Sequence, residues 1–327
     1  MFLNESFYLR IGSTWLIDGI YIFLIAPIGI TGFILNMTSL IIYCKLINNA
    51  NLYKYLIMYS LNGSLICLIS SFLFLTYSPR YIDYFLSPTI KIYRCRVLGY
   101  GIVSLYFFGN LLDIFISLNR LSIFNNKLKS FHDFNPFKLG ILLMIICFSI
   151  NLRLIVSYDL MSNDDFFNSS SFTYCIQNEF AETTFNKILN IFIISIRDLI
   201  TLILEIIFSY LLIKSSNKYT ENNLIQATIN INQTRENNLN LTIKKRVMMK
   251  KRILYMTIWL SILSIISHLI IAFAFSLFLN NFLTENRLFY FSMVLFGFFS
   301  LILKHFLNFF LFYLFDYNFK KLIRKNC

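Results

Sequence analysis

NLLDIFISLNR, residues 110–120, closes an apolar stretch that opens near Cys95. An arginine at the end of such a stretch is costly unless it is paired or reaches an interface. Asp113, two helical turns earlier, sets an acid inside the same run. Working outward, apolar runs of about 20 residues or more recur along the chain, the length that crosses a ~30 Å hydrocarbon core at ~1.5 Å per helical residue. Of the 327 residues, 57% are hydrophobic and only 14% are charged, against about 25% charged in ordinary soluble domains. An all-α membrane protein is the expected class.

Seven spans are expected, over residues 16–43, 53–77, 95–118, 137–156, 185–213, 253–279 and 288–315. They leave residues 1–15 as a polar N-terminal segment and 316–327 as a basic tail. The N-terminal MFLNESFYLR lacks a basic stretch followed by an apolar core, so no signal peptide is expected. Seven spans put the termini on opposite sides, and basic residues choose between them. The 1–2, 3–4 and 5–6 connections and the tail carry most of the Lys and Arg, among them Lys45, Lys127, Lys214, Lys250, Lys251, Arg252 and Lys320. The opposite side holds Arg80, Lys91, Arg94 and Arg96, with the acids Asp159, Asp164, Asp165, Glu179 and Glu182. The expected orientation is N-terminus outside, C-terminus cytoplasmic. The net charge of +13 then faces anionic membrane lipids and protein partners and calls for no nucleic acid.

The longest cytoplasmic stretch begins Asn-rich (NNLIQATININQTRENNLN) and ends KKRVMMKKR, a basic run leading into the sixth span. Its plainer reading is an anchor for that span; its functional reading, a contact surface for a cytoplasmic partner, is compatible with the first. In the tail, DYNFKKLIRKN places Phe319, Leu322 and Ile323 on one helical face among basic residues, the pattern of a short amphipathic surface helix on the inner leaflet. Cys327 is a weak palmitoylation candidate. Cys95 and Cys175 are the two cysteines placed outside, where an even pair predicts a disulfide from the third span to the 4–5 connection. The external glycosylation sequons start at Asn4 and Asn168.

Polar residues within spans are rare and informative. Asn36, Asn62, Asn110, Asp113, Lys304, His305 and Asn308 come from the first, second, third and seventh spans at comparable depth. An unpaired charge there is strongly destabilising, so Asp113 and Lys304 are expected to pair, with the asparagines and His305 around them. The alternative is that Lys304 snorkels along its stem. Arg197, Asp198 and Glu205 form a second set in the fifth span, with Asp198 and Glu205 on one face. Arg153 and His268 are lone polar residues in the fourth and sixth spans. Arg153, Arg197, Asp198 and His268 are candidates for a ligand pocket; helix–helix hydrogen bonding is the plainer role for Arg153 and His268. His132, His268 and His305 are scattered, and no metal spacing, phosphate loop or catalytic constellation appears. Neither enzyme activity nor a cofactor is expected.

The chain resembles the rhodopsin-like, class A G-protein-coupled receptors, in a divergent invertebrate-type form. The family separates its disulfide cysteine from the arginine of an Asp-Arg-Tyr motif by 25 residues, as Cys95 and Arg120 are separated here. The motif itself reads Asn119-Arg120-Leu121. Asn36 in GFILN matches the span-one asparagine, and Asn62 stands where the family carries a span-two aspartate. Asn308 opens the counterpart of the span-seven Asn-Pro-x-x-Tyr motif, with Phe309 for proline and Phe312 for tyrosine, and Phe319 follows seven residues after Phe312. The fourth, fifth and sixth spans lack the family's tryptophan and prolines. Ile102 stands where amine receptors carry an aspartate, which argues against an amine ligand.

The resemblance implies a plasma-membrane receptor for an extracellular ligand, a peptide (neuropeptides included) or a small chemosensory molecule. It also implies coupling to a heterotrimeric G protein through Arg120 and Asn119, with Lys250, Lys251 and Arg252. Since Asn62 removes the main anion of the family's sodium site, Lys304 paired with Asp113 is expected to stand in for the ion. The rival class is a transporter or ion channel whose path is lined by Asp113, Arg197, Asp198, Glu205 and Lys304. Neither inverted repeats nor paired Gly/Pro-broken helices support it, with 4 prolines in the whole chain.

Overall fold

The computed structural model describes residues 20–48, 50–72, 92–124, 128, 134–160, 175–177, 179–215, 252, 255–256, 258–271 and 287–326. The glycosylation candidates Asn4 and Asn168, the coupling candidates Lys250 and Lys251, Cys327, and the side chains of Cys95 and Cys175 lie outside the described residues.

Helix α1 starts as a π turn, Tyr21–Ile25, and continues as Ala26–Leu46. Pro27 explains the wide turn, since its ring has no N–H and crowds the carbonyl one turn back. Helix α2 spans Asn51–Ser71. Helix α3 begins as a π-helical stretch, Tyr93–Ile102, and runs on as Val103–Phe124. Helix α4, Pro136–Asn151, is opened by Pro136 and capped by Asn135, whose side chain accepts from the Phe137 amide at 3.0 Å. A short helix, Arg153–Val156, continues it. Strands β1 (Tyr158–Leu160) and β2 (Cys175–Gln177) then pair antiparallel, with Leu160 opposite Cys175.

After a one-turn helix, Glu179–Glu182, helix α5 is capped by Thr183 and comprises Thr184–Ile194, a π turn Ser195–Ile200 and residues 201–215. Helix α6 is described over Ile258–Ile271. Helix α7 is Arg287–Phe315, and helix α8 is Tyr317–Asn326.

Helix α2 packs against α1, α3, α4 and α7. Small residues let α1 and α2 approach closely: a β-carbon on Gly29 would stand 3.0 Å from the Cys67 carbonyl oxygen. Polarity is inverted relative to a soluble protein. Asn36 is 0% exposed, whereas Ile188 on α5 is 62% exposed and Ile141 on α4 is 60% exposed. Apolar side chains on the outside and amides on the inside suit a helical protein whose solvent is lipid.

Five helices are long and apolar enough to cross a membrane: Phe23–Leu46, Asn51–Ser71, Arg96–Ser122, Pro136–Val156 and Phe296–Phe315. Two of the seven expected spans fall outside that set for definite reasons. Helix α5 carries Lys187, Arg197, Asp198 and Glu205 along its length, and the described part of α6 is shorter than a bilayer core. The third span, expected to end at Leu118, continues as helix to Phe124, so Asn119 and Arg120 lie within it and are buried.

Helix α8 is seated as its apolar face suggests. Asp316 caps it, Oδ1 accepting from the amides of Asn318 at 2.9 Å and Phe319 at 3.2 Å. Phe319 is buried against Tyr43, Phe309 and Phe312, with ring centroids 5.2, 5.7 and 6.0 Å away. Lys321 and Arg324 point outward.

Candidate functional site: a buried polar chain across four helices

The expected Asp113–Lys304 pair is present. Lys304 Nζ donates to Asp113 Oδ2 at 2.7 Å and to Ser264 Oγ at 2.8 Å, and both charged residues are buried. The Tyr59 ring lies beneath the ammonium, 6.0 Å from its centroid. Lys304 therefore does not snorkel. Removing either partner strands the other charge, a loss of about 3–5 kcal/mol.

From that pair a chain of polar groups runs from α3 and α7 through α6 to α5. Ser264 also lies 3.0 Å from Asp113 Oδ2 and 2.8 Å from Glu205 Oε1. His268, one turn along α6, meets Asn110 Nδ2 at 2.9 Å and Thr201 Oγ1 at 3.2 Å. Its ring packs edge-on to Tyr106 at 5.4 Å. Asp198 Oδ1 lies 4.0 Å from His268 Nε2.

The π turn in α5 brings Arg197 and Asp198 inward together, although adjacent residues of a regular helix do not face each other. Arg197 grips the carboxylate with two bonds, Nε to Oδ1 at 2.8 Å and Nη2 to Oδ2 at 2.7 Å. The four ligand-pocket candidates therefore divide. Arg197, Asp198 and His268 share one buried polar chain, while Arg153 donates to Asn190 Oδ1 on α5. Helix–helix bonding, the plainer role for Arg153 and His268, is what both make here.

The ring of amides expected around Asp113 and Lys304 is a correction in detail. Asn110 leaves that group and pairs with His268, because its position one turn before Asp113 faces α6. Asn36 Nδ2 ties α1 to α7 through the His305 carbonyl at 3.0 Å. The side-chain amides of Asn62 and Asn308 and His305 Nδ1 are buried with no hydrogen-bond partner among the described residues. His305 and Asn36 crowd Gly63, where a β-carbon would come within 2.8 and 2.9 Å of their side chains, so any larger residue forces them apart.

Near the C-terminal end of α3, Arg120 and Asn119 are buried. Arg120 Nε and Nη2 and both polar atoms of the Asn119 side chain have no hydrogen-bond partner among the described residues. Arg120 is within electrostatic reach of Asp316, Tyr53 and Tyr43. Burial raises the pKa of the Asp316 carboxyl, opposed by the Phe319 and Asn318 amides and by the Arg120 charge. Arg252 is exposed.

Sequence reasoning missed Ser264, Thr201 and Tyr106. The signal was there as spacing: Tyr106, Asn110 and Asp113 on α3, Asp198, Thr201 and Glu205 on α5, and Ser264 and His268 on α6 each form a polar stripe three or four residues apart. Among the described residues, no group of three His, Cys, Asp or Glu is arranged to hold a metal ion. No protein-family model matches the chain, and no curated protein matches it in sequence.

Proposed function

We propose that the chain is a seven-span receptor of the rhodopsin-like kind, which binds an extracellular peptide or small chemosensory molecule and activates a heterotrimeric G protein. The observation that carries this reading is the state of Arg120. A buried guanidinium with two nitrogens lacking acceptors among the described residues is costly, and an acceptor brought by another chain relieves it. Asn119 beside it supplies no charge, so the arginine is free of the usual neighbouring acid. A partner's helix C-terminus, rich in carbonyl acceptors, is a fitting complement.

Further support comes from both ends of the bundle. Strand β1 lies against the Tyr93–Ile102 stretch that contains Cys95, and its Leu160 pairs with Cys175, which suits the expected disulfide. Helix α8 is seated on α1 and α7 by Phe319, as the family's surface helix would be. In this reading the protein sits in the plasma membrane with its N-terminus outside, and α5 and α6 count as the remaining two spans. Ligand binds one of two pre-existing states more tightly and shifts the population toward it. The tight pairing of Asp113, Lys304, Arg197 and Asp198 favours a packed receptor core over a transporter's or channel's open path.

A ligand screen, neuropeptides first, on cells carrying the chain with a promiscuous G protein tests this. A peptide or small molecule that evokes second-messenger release in these cells and not in cells lacking the chain is the expected result. Ion currents that persist without any G protein would overturn it.

A further inference from the structure

Two buried arginines of the bundle use the same edge of the guanidinium differently. Arg197 grips Asp198 with Nε and Nη2, at 2.8 and 2.7 Å. Two N–H groups fixed in one plane along that edge match two coplanar oxygens, as a carboxylate or a phosphate presents them. Arg120 is 7% exposed, and the same two nitrogens, Nε and Nη2, are buried with no hydrogen-bond partner among the described residues.

The neighbours of Arg120 do not supply the oxygens. Among the described residues, Asp316 is the one carboxylate within electrostatic reach of it. Asp316 Oδ1 already accepts from the amides of Asn318 at 2.9 Å and Phe319 at 3.2 Å, so drawing that group onto the guanidinium would uncap α8. Tyr53 Oη is engaged too, accepting from Asn318 Nδ2 at 3.1 Å.

Tyr43 is a second, independent sign. It lies within electrostatic reach of Arg120, and its hydroxyl is buried with no partner among the described residues. Its ring is clamped by Tyr53, Phe312 and Phe319, with centroids 5.7, 5.2 and 5.2 Å away, so the hydroxyl cannot swing off to another acceptor. A two-pronged cationic edge and a hydroxyl donor thus lie near each other, and both lack an acceptor.

We infer that Arg120 and Tyr43 form a binding site for an oxyanion that offers two oxygens in one plane, of the carboxylate or phosphate kind. Nε and Nη2 of Arg120 hold the two oxygens, and the Tyr43 hydroxyl is the third donor. The bound anion gives buried N–H groups something to donate to, and it meets directly a charge that Asp316 meets only at a distance. Lys321 and Arg324 on α8 are exposed and attract anions too, without this fixed fork behind a buried edge. One consequence rests on the receptor reading: the oxyanion and the partner's acceptor need the same edge, so the bound anion holds coupling down until the partner displaces it.

The test uses the purified full chain in neutral detergent micelles with no G protein, so its failure is separate from a failure of the receptor reading. Tm is followed as sodium phosphate or sodium acetate replaces sodium chloride at constant pH and ionic strength. In a third arm phosphatidic acid is mixed into the micelle. The wild type is expected to gain a few degrees, saturably, as a ligand that binds only the folded state requires. A gain in the phosphate or acetate arm makes the source a free anion, and a gain in the lipid arm alone makes it a headgroup. Arg120→Ala should show no saturable gain. Arg120→Lys keeps the charge without the fork and should keep only a fraction of the gain. Tyr43→Phe should need severalfold more of the anion for the same gain. The absence of a saturable gain in all three arms would overturn the site, as would a wild-type response in any of the three variants. Should Arg120→Ala fail to fold, Arg120→Lys and Tyr43→Phe decide it.

Discussion

Lys304 and Arg120 are both buried cations on helices of one bundle, yet they are treated in opposite ways. Lys304 donates to Asp113 and Ser264 and lies over the Tyr59 ring. Arg120 leaves two guanidinium nitrogens without acceptors among the described residues, and the side chain of its neighbour Asn119 is equally unsatisfied there. Each cation is costly to bury, and of the two only Lys304 has its charge met by a direct ion pair among the described residues. The difference separates a charge that ties helices together from one that, under the receptor proposal, waits for a partner's acceptor. Lys304 links α7 to α3 and α6, whereas Arg120 sits where Asp316 offers electrostatic attraction at a distance and no direct bond.

If that contrast is right, substitutions at the two cations should behave differently. The largest loss is expected at the compensated pair. Lys304→Ala or Asp113→Ala alone should cost about 3–5 kcal/mol and greatly reduce the folded protein reaching the cell surface. Exchange of the charges, Asp113→Lys with Lys304→Asp, should recover part of what either change loses. Surface labelling measures this, and an exchange no better than the single changes would mean the pair is not what holds α3 to α7. Under the receptor proposal, in which Lys304 takes the place of the family's sodium ion, signalling should also be indifferent to sodium; a sodium-dependent response would contradict it.

Phe319→Ala comes next. It empties the pocket formed by Tyr43, Phe309 and Phe312 and should cost about 3 kcal/mol locally, the lower end for a buried aromatic. Protease cleavage within α8 that becomes faster while the bundle stays folded is the expected readout. Unchanged cleavage would mean α8 is held by its cap and not by this ring.

The smallest effect is expected at Asp316. Its folded-state pKa is raised, chiefly by burial, so the folded protein binds the proton more tightly than the unfolded chain does. Its contribution is therefore greatest at low pH and is lost as pH rises from about 4, the unfolded value, through the folded one. Asp316→Asn keeps a capping oxygen and should flatten that acid-side slope alone. A denaturation series over the acid range measures it. A slope that survives in Asp316→Asn would assign the acid dependence to another group.

Much of this was legible in the sequence, and the rest was not for physical reasons. Asp113 and Lys304 announced each other because two opposite charges in apolar runs have few other partners. The α8 face of Phe319, Leu322 and Ile323 followed from helical spacing, since a stripe that narrow needs an apolar support. The destination of Asn110 did not follow. An amide can donate or accept on any side, and only the rotation of α3 against α6 decides between Lys304 and His268. The inward turn of both Arg197 and Asp198 was equally hidden, because it depends on the π turn, and regular helical spacing places neighbours on different faces. Ser264 was missed because a serine in a span is unremarkable until three ionisable side chains converge on it.

The most direct measurement is G-protein nucleotide exchange in membranes carrying Arg120→Ala beside wild type, at matched surface levels. An uncompensated buried guanidinium contributes little to the fold, so the variant should reach the surface as well as wild type does and should show no exchange above membranes lacking the chain. Wild-type exchange by Arg120→Ala, or a loss of surface protein as deep as that of Lys304→Ala, would contradict the account.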